Sequence, residues 1–456
     1  MHVPLLINGE RVEAKERIEV RNPARPAEVV GTVGAATADD VDKAVAAAHR
    51  AFPAWRDTPL PDRLAAFAKA AEVGGALPPE LAETLTREMG KIALEAGADM
   101  SFAQLAFVQA METGPPVLEP AELRDDFGLV TLERVPRGVA ALVVAWNWPP
   151  LLAFVKLAPA LLGGNTVVLL SSPYAPLAVS AAVSEIASVF PPGVINVITG
   201  HGPEAGAALC SHPLVHTVSF TGGIETGGEV MKLMAGTIKA PILELGGNDP
   251  AILLDDTEIT EELIRALLVG AFMTTGQVCI AIKRLYVARN LYQSVVDGLV
   301  AGAGQMVVGD GLAEGTTMGP MANGRQLARF QGFIEEAKAA GATVVETGTL
   351  TADPGDGGHF HRPVIVTGAD HKTSIVACEQ FGPGLPVIPF DTVDEAVSLA
   401  NDSEFGLMSS VWSSDPSRAW QVARRVESGT TFINQHSLFS VDLRSPAGGV
   451  KQSGIG

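Results

Sequence analysis

One cysteine of this chain stands where its sulfur could act as a nucleophile. Cys279 follows a Gly276-Gln277 pair, and a bend at that pair can present the thiol to a cleft. A carboxylate elsewhere in the fold can serve as the partner base of such a thiol, and Glu244 stands upstream in the run Leu243-Glu-Leu-Gly-Gly247. Because the two residues lie far apart in the sequence, no single helix can hold both. The tertiary fold must therefore bring them together.

Two motifs carry a resemblance to a known family. The run Phe272-Met-Thr-Thr-Gly-Gln-Val-Cys279, with a basic residue five positions further on, resembles the active-site signature of the aldehyde dehydrogenase superfamily. The run Val143-Val-Ala-Trp-Asn-Trp-Pro149 is similar to the family's Pro-Trp-Asn-Phe-Pro motif. The resemblance implies that Cys279 is the nucleophile, that Glu244 is the general base, and that the Asn147 amide supports the oxyanion. From the residues alone, Asn147 could equally be a helix cap, and Glu244 a buried structural acid.

Composition limits the class of protein. A chain of 456 residues is long enough for two or three domains, and a content of 47% hydrophobic and 18% charged residues is typical of a compact enzyme. The net charge of −19 argues against nucleic acid and anionic membranes as partners, since both are bound by clustered Lys and Arg. The three cysteines are too few for a disulfide framework. The N-terminus does not have a basic segment followed by an apolar core, which a secretion signal would need. We therefore expect a cytoplasmic protein.

The pattern of apolar runs predicts an α/β fold. Strands are expected at 139–144, 166–170, 194–198, 215–220 and 240–245, and helices at 42–52, 61–71, 151–162, 176–189, 204–210 and from Gly223. Strands with near-continuous apolar runs that alternate with helices are typical of a parallel sheet covered on both faces. The apolar run 138–155 is interrupted by Asn147 and two prolines, so it predicts a strand, a turn and a helix rather than a membrane span. Further helices are expected at 261–273, 326–340 and 394–401.

We expect two doubly wound α/β domains. Residues 1–117 and 137–248 form a Rossmann-like dinucleotide-binding domain, and residues 249–445 form the catalytic thiol domain. Residues 118–136 alternate apolar and polar side chains and predict a protruding hairpin. The resemblance implies that this hairpin serves oligomerisation into a homodimer or homotetramer, and that residues 446–456 are a shortened C-terminal segment.

The resemblance also implies a nicotinamide cofactor. Phe220-Thr-Gly-Gly-Ile-Glu-Thr-Gly227 and Glu379-Gln-Phe-Gly-Pro-Gly-Leu-Pro386 are similar to two cofactor-binding segments of the family. Leu170 replaces a lysine that is expected at the adenosine ribose, and Pro173 replaces a glutamate that often selects NAD. With no basic residue at a 2′-phosphate site, we expect NAD, with NADP possible, and no metal. The implied cofactor-binding residues are Val144, Ala145, Trp146, Gly202, Gly206, Phe220, Gly222, Gly223, Thr226, Leu245, Glu379 and Phe381.

The expected reaction is oxidation of an aldehyde to a carboxylic acid through a cysteine thiohemiacetal and thioester. Glu244 favours hydrolysis of the thioester over transfer to CoA, and Lys156 matches a family lysine that helps proton transfer. Arg444 and His436 could receive a polar tail of the substrate. The implied substrate wall is apolar, which suits an aliphatic or aromatic aldehyde, and consists of Trp148, Leu151, Val155, Val278, Ile280 and Phe439.

Two other functions are compatible with the same residues. A thiol esterase could use Cys279 and Glu244 without a redox cofactor. A non-catalytic protein could also retain this fold. Leu170 and Gly223 would allow it, because both differ from the residues that the family usually has at these positions. Formation of NADH from an aldehyde distinguishes the expected enzyme from both alternatives.

Overall fold

The computed structural model describes residues 1–352, 355 and 357–456. The strands are β1 (His2–Val3), β2 (Leu5–Ile7), β3 (Glu10–Val12), β4 (Glu16–Asn22), β5 (Arg25–Ala35), β6 (Ala121–Asp125), β7 (Gly128–Leu132), β8 (Val139–Val143), β9 (Thr166–Ser171), β10 (Ile195–Thr199), β11 (Val215–Thr221), β12 (Ala240–Glu244), β13 (Asp249–Leu253), β14 (Ile282–Ala288), β15 (Val307–Val308), β16 (Thr343–Glu346), β17 (Thr349–Leu350), β18 (Val364–Thr367), β19 (Gly384–Phe390), β20 (Met408–Trp412), β21 (Thr430–Ile433) and β22 (Gly454–Ile455).

The helices lie between these strands, mostly in alternation with them. They are α1 (Ala38–Arg56), α2 (Leu60–Gly75), α3 (Glu80–Met89), α4 (Ala93–Leu118), α5 (Pro149–Leu162), α6 (Leu177–Ala187), α7 (Ala207–Ser211), α8 (Ile224–Met234), α9 (Glu261–Phe272), α10 (Tyr292–Gly304), α11 (Gly324–Ala339), α12 (Ser374–Ala377), α13 (Val393–Asn401) and α14 (Pro416–Ala423).

The first large sheet is doubly wound around five parallel strands. Its order is β22-β12-β11-β8-β9-β10-β2-β3, and β8 to β12 are mutually parallel. The chain runs from β8 outward to β10 and then returns to place β11 on the other side of β8. Open α/β sheets bind ligands at such a reversal, beyond the carboxyl ends of the strands. Helices α2, α4, α5 and α6 cover one face, and α1, α7 and α8 cover the other.

The second large sheet has a similar construction. Its order is β16-β18-β19-β14-β13-β20-β21, with only β16 antiparallel to its neighbour. Helices α9 and α10 pack on one face of this sheet, and α13 and α14 on the other. The predicted fold class, two doubly wound α/β units, is therefore confirmed. The domain boundaries remain a prediction.

The predicted elements from residue 139 to 245 are all present, with ends that differ by a few residues. The largest difference falls at 204–210, where a π-helical turn over Gly202–Gly206 precedes the short helix α7. The hairpin expected within 118–136 is the isolated pair β6 and β7, and all of its strand residues are exposed. At the C-terminal end, β22 adds an antiparallel strand to the edge of the first sheet beside β12.

Five helices, α3, α4, α10, α12 and α14, have no counterpart among the predicted elements. Helix α4 packs against α2, α3 and α5, so its apolar residues occupy more than one face and give no simple helical period. Helix α3 contains the buried Glu88, and the buried Lys91 follows it, although charge is not expected in a buried region. Within the described residues, no helix is long and apolar enough to cross a membrane.

Candidate active site

The predicted nucleophile lies in a tightly shaped turn before β14. Thr274, Thr275 and Gly276 all have positive φ angles, of 53°, 59° and 71°. This conformation is strained for a β-branched residue, so the surroundings must enforce it. One such contact is the Thr274 N–H, which donates to the buried Glu95 carboxylate at 2.7 Å. The turn places Cys279 at the amino end of β14, facing the first sheet.

Asn147 reaches the same turn from the carboxyl end of β8. Its Nδ2 donates to the Gln277 carbonyl oxygen at 3.1 Å, which fixes the plane of the amide. An Asn amide has two N–H donors, so one remains available. The Cys279 backbone N–H has no acceptor among the described residues. The arrangement therefore leaves two donors near the sulfur for a developing oxyanion.

Cys279 and Asn147 line one pocket of about 180 Å³ between the two sheets. The pocket holds seven of the predicted cofactor residues, and it also contains four residues that sequence analysis did not identify. Its other lining residues are Ala145, Trp146, Thr221, Gly222, Gly223, Leu245, Gly246, Gln326, Arg329, Glu379 and Phe381.

The predicted base, Glu244, ends β12 close to this pocket. Its carboxylate accepts no hydrogen bond from any residue that the structure describes. Burial raises the pKa of Glu244, and the charge of Lys156 opposes that shift. Lys156 donates from Nζ to the Ser219 hydroxyl at 2.8 Å, and burial lowers the pKa of this lysine to about 8. Lys156 interacts electrostatically with both Glu244 and Cys279, so the three groups share one electrostatic environment.

The environment of Cys279 keeps its thiol protonated in the resting protein. Burial, and after it the negative charges of Glu379, Asp249 and Glu244, together raise the thiol pKa to about 12. A hydrogen bond from the Ile280 N–H to the sulfur acts in the opposite direction. Because the thiolate is the reactive form, nucleophilic attack here requires a proton acceptor or added positive charge.

A larger cleft of about 1240 Å³ adjoins the thiol pocket, and Leu245 lines both. Of the predicted cofactor residues, Gly202, Gly206, Phe220 and Thr226 also line this cleft. The first turn of α8 opens into it, with backbone N–H groups that can hold an anion such as a pyrophosphate. Val144 lines neither space, because its side chain is buried in the core below the sheet.

The loop that carries Glu379 and Phe381 closes the thiol pocket from the side of the second sheet. The Gly247 N–H donates to Glu379 Oε1 at 3.1 Å. A Cβ at Gly246 would lie 2.7 Å from Glu379 Oε2, so the close approach of this carboxylate requires glycine. Phe381 has a positive φ of 45°, and the Gln326 amide donates to its carbonyl oxygen at 3.2 Å.

Most of the predicted substrate wall is one apolar cluster around the sulfur. Trp148, Leu151, Val278 and Ile280 are buried together, and Val155 and Cys279 pack against them. Phe439 is 57% exposed, and its ring meets the Trp148 ring edge-on at 6.0 Å.

His436 and Arg444 occupy different environments. The prediction that His436 could receive a polar substrate tail is wrong, because its ring is buried and bonded to the Ser410 hydroxyl and the Ile280 carbonyl. Arg444 is exposed and bonded to Asp442 in its own loop.

Four pocket residues were missed by sequence analysis: Thr221, Gly246, Gln326 and Arg329. Thr221 and Gly246 lie inside motifs that were recognised, so the motifs themselves gave a usable signal. Gln326 and Arg329 lie on α11, and only the packing of the second sheet brings this helix to the pocket. No group of three His, Cys, Asp or Glu side chains in the described part of the chain could hold a metal ion.

A buried ion pair supports the wall of the site from behind. Lys91 and Asp99 are fully buried and lie 2.7 Å apart. The second oxygen of Asp99 accepts from the Leu151 N–H at 2.7 Å, and the Lys91 ammonium lies 3.8 Å from the centre of the Trp148 ring. The pair therefore fixes both the first turn of α5 and the indole that faces Cys279.

Replacing Asp99 with alanine is expected to destabilise the protein by about 3–5 kcal/mol, because it leaves the Lys91 ammonium buried without a counterion. Urea unfolding of purified protein, followed by tryptophan fluorescence, measures this change. Asp391→Ala is the matched control, since it removes an exposed carboxylate paired with Arg289 and should leave the unfolding midpoint unchanged. An Asp99→Ala protein as stable as the wild type would contradict the role assigned to the pair.

The fold and site together define a class of protein: an α/β enzyme that joins a dinucleotide-sized cleft to a cysteine pocket. The sequence model of the aldehyde dehydrogenase family matches residues 11–456. The chain belongs to this family, so the predicted family and enzyme class are confirmed.

Two curated relatives illustrate the similarity. The aldehyde dehydrogenase citD of Monascus ruber is 36% identical over 450 residues, which cover 97% of this chain and 88% of the relative. The glutarate-semialdehyde dehydrogenase of Pseudomonas putida is 34% identical over 457 residues, which cover 99% and 93%.

Solved structures agree with the fold over the whole chain. Betaine aldehyde dehydrogenase of Staphylococcus aureus, in complex with NAD⁺, has a TM-score of 0.91 at 33% identity and covers 99% of this chain and 90% of its own. Aldehyde dehydrogenase C of Pseudomonas syringae, a mutant complexed with NAD⁺ and octanal, has a TM-score of 0.92 at 34% identity, covering 100% and 93%. An NADP-dependent enzyme of Escherichia coli has a TM-score of 0.94 at 32% identity, covering 100% and 94%.

Proposed function

We propose that this protein oxidises an apolar aliphatic or aromatic aldehyde to the carboxylic acid, with NAD as the electron acceptor. The observation that carries the proposal is the pocket shared by Cys279 and Asn147, which adjoins the larger cleft at Leu245. A nucleophile, an oxyanion donor and a site for a dinucleotide are thereby adjacent. A thiol esterase would have no need of the larger cleft.

The residues around the two spaces fit a bound nicotinamide dinucleotide. The first turn of α8, with Gly223 and Thr226, would hold the pyrophosphate. An added Cβ at Gly223 would meet no atom within 4 Å, so the backbone there is open to a ligand. Glu379 and Phe381 would hold the nicotinamide ribose and the nicotinamide end. When bound, NAD supplies a two-electron acceptor for the hydride of the substrate carbon.

The charges in the larger cleft favour NAD over NADP. Lys232 and Lys451 line this cleft, although sequence analysis expected no basic residue there. Lys232 is paired with Glu229, and Lys451 with Glu427. Each lysine already has a carboxylate partner, and a 2′-phosphate would have to compete with that partner.

In the first half of the reaction, the Cys279 sulfur attacks the aldehyde carbon and forms a thiohemiacetal. The carbonyl oxygen gains negative charge, and the free N–H of the Asn147 amide and the Cys279 backbone N–H donate to it. The thiol proton must leave the sulfur, and water in the pocket can carry it to solvent. The positive charge of Lys156 favours this loss. Oxidation of the thiohemiacetal leaves a thioester on Cys279.

In the second half, Glu244 activates the water that hydrolyses the thioester. The carboxylate has no hydrogen bond within the described residues, so its lone pairs are available to orient water. Burial raises its pKa, which strengthens the carboxylate as a base, while the charge of Lys156 opposes that shift. Hydrolysis releases the carboxylic acid and returns Cys279 to the thiol.

An aldehyde panel tests the proposed substrate class. We expect kcat/KM for octanal and benzaldehyde to exceed that for betaine aldehyde and glutarate semialdehyde by tenfold or more, because the apolar cluster gains about 0.8 kcal/mol per buried methylene but cannot solvate a charge. Absorbance of the reduced cofactor, measured with NAD⁺ and with NADP⁺, gives both specificities. Preference for a charged aldehyde, or ester hydrolysis without cofactor-dependent oxidation, would refute the proposal.

We further propose a homodimer or homotetramer that uses the hairpin of β6 and β7. The hairpin projects Leu123, Phe127, Leu129 and Val130 into solvent, and such a patch is unusual on a monomer. Light scattering of the purified chain, compared with a Phe127→Ser variant, checks this proposal, and an unaltered monomeric mass in both would refute it. The cytoplasmic location remains a prediction.

A further inference from the structure

Lys283 is a buried cation beside the active site that the proposed mechanism does not use. Its side chain is only 1% exposed, although it lies four residues after the nucleophile in β14. Its Nζ donates to the Gly276 carbonyl oxygen, which is the only hydrogen bond that the described residues give this ammonium. A lysine is rarely buried without a carboxylate in direct contact, so the burial of Lys283 needs an explanation.

The side chain of Lys283 connects the two loops that form the thiol pocket. The hydrogen bond to Gly276 holds the strained turn before Cys279. On the other side, the ammonium lies 5.5 Å from the centre of the Phe381 ring. The Lys283 backbone also takes part, because its carbonyl oxygen accepts from the Gln380 amide at 3.1 Å.

The same two loops are in close contact. An added Cβ at Gly276 would collide with the Gly382 carbonyl, so the thiol turn packs directly on the 379–382 loop. Both loops contain non-glycine residues with positive φ, namely Thr274, Thr275 and Phe381. Strained backbone of this kind persists only where the surrounding structure enforces it.

The charge balance around the sulfur gives Lys283 a second role. Three carboxylates and two ammonium groups interact with the Cys279 thiol, and ionisation of the thiol adds another negative charge. His436 lies 3.7 Å from one of the carboxylates, that of Asp249. Burial lowers the pKa of Lys283 to about 8, and the negative charges of Glu379, Asp249 and Cys279 limit this fall. The three carboxylates are those of Glu244, Asp249 and Glu379, and the two ammonium groups are those of Lys156 and Lys283.

We propose that Lys283 is a positioning residue whose buried ammonium joins the thiol turn to the Glu379–Phe381 loop and stabilises the Cys279 thiolate. Once Lys283 is removed, only Lys156 and Arg329, which interacts with Glu379 in the same pocket, would face the three carboxylates. The thiolate would then form at a higher pH. This inference rests on the proposed role of Cys279, but it concerns the ionisation of the thiol and can be measured without aldehyde or cofactor.

The test is the pH profile of Cys279 alkylation by iodoacetamide, followed by mass spectrometry of the peptide that contains Cys279. Lys283→Met keeps the length of the side chain and removes its charge. We expect Cys279 of Lys283→Met to be alkylated about tenfold more slowly than in the wild type at each pH between about 7 and 9, so that equal rates are reached about one pH unit higher. Lys283→Arg retains the charge, and its alkylation rates should stay close to those of the wild type.

Controls separate a charge effect from damage to the fold. Lys239→Met removes a half-buried lysine that bonds the Cys210 and His212 carbonyls, and it should leave the Cys279 profile unchanged. Cys378, alkylated in the same samples, reports any general loosening. Three results would overturn the proposal: alkylation of Lys283→Met at the wild-type rate, a loss of rate that does not diminish as the pH rises by one unit, or a Lys283→Arg rate as low as that of Lys283→Met. Measuring NADH formation separately shows whether the proposed function itself holds.

Discussion

Cys279→Ala is expected to lower the steady-state rate of NADH formation from an apolar aldehyde on the order of 10⁴-fold or more. The reason is that the remaining residues have no group that can form the covalent intermediate, and loss of a nucleophile typically removes most of the rate enhancement. Stopped-flow absorbance of NADH, with octanal and NAD⁺ in excess, should also show no burst. The folded state should be retained, because the sulfur makes few contacts that an alanine would lose.

The matched control is Cys378→Ala. Cys378 ends the short helix α12 and lines neither the thiol pocket nor the larger cleft. Its removal should leave both the burst and the steady-state rate at the wild-type level. Activity of Cys279→Ala within about tenfold of the wild type would contradict nucleophilic catalysis at this position.

Glu244→Gln is expected to preserve a burst of NADH and to lower the steady-state rate by about 10²- to 10⁴-fold. Glutamine keeps the shape of the side chain but cannot take a proton from water. The thioester should therefore form and then accumulate, because its hydrolysis loses the general base. Quench-flow measurement of NADH and of released acid resolves the two steps.

Glu185→Gln serves as the control for removal of a carboxylate. Glu185 is exposed on α6 and pairs with Arg11, remote from the pocket. Its burst and steady-state rate should match the wild type. If Glu244→Gln instead lost the burst and the steady-state rate together, Glu244 would act before the thioester forms, and a purely hydrolytic role would be wrong.

The first sheet could be predicted from sequence because its strands are short, nearly continuous apolar runs. Burial on both faces leaves few other interpretations for runs such as β8, β9 and β10. Residues that follow these strands, such as Asn147 and Gly222, could then be placed at the carboxyl edge where ligands bind. Local pattern and motif together were sufficient for this half of the site.

The other half depends on packing that has no local signature. The sequence of helix α11 has the pattern of an ordinary amphipathic helix. Only the position of this helix against the first sheet brings Arg329 to the pocket. His436 was expected near the substrate because it lies on the loop that leads to Phe439. In the structure its ring points inward and bonds to the Ser410 hydroxyl. Lys91 and Lys283 are charged residues in a buried region, where pattern-based reasoning assigns apolar side chains.

The most direct test of the central claim is the identity of the acylated residue. Glu244→Gln protein is mixed with octanal and NAD⁺, quenched in acid, digested and analysed by mass spectrometry. We expect an octanoyl group on the peptide that contains Cys279, in an amount equal to the NADH of the burst. NADH formation with an unmodified Cys279, or an acyl group on Cys210 or Cys378, would contradict it.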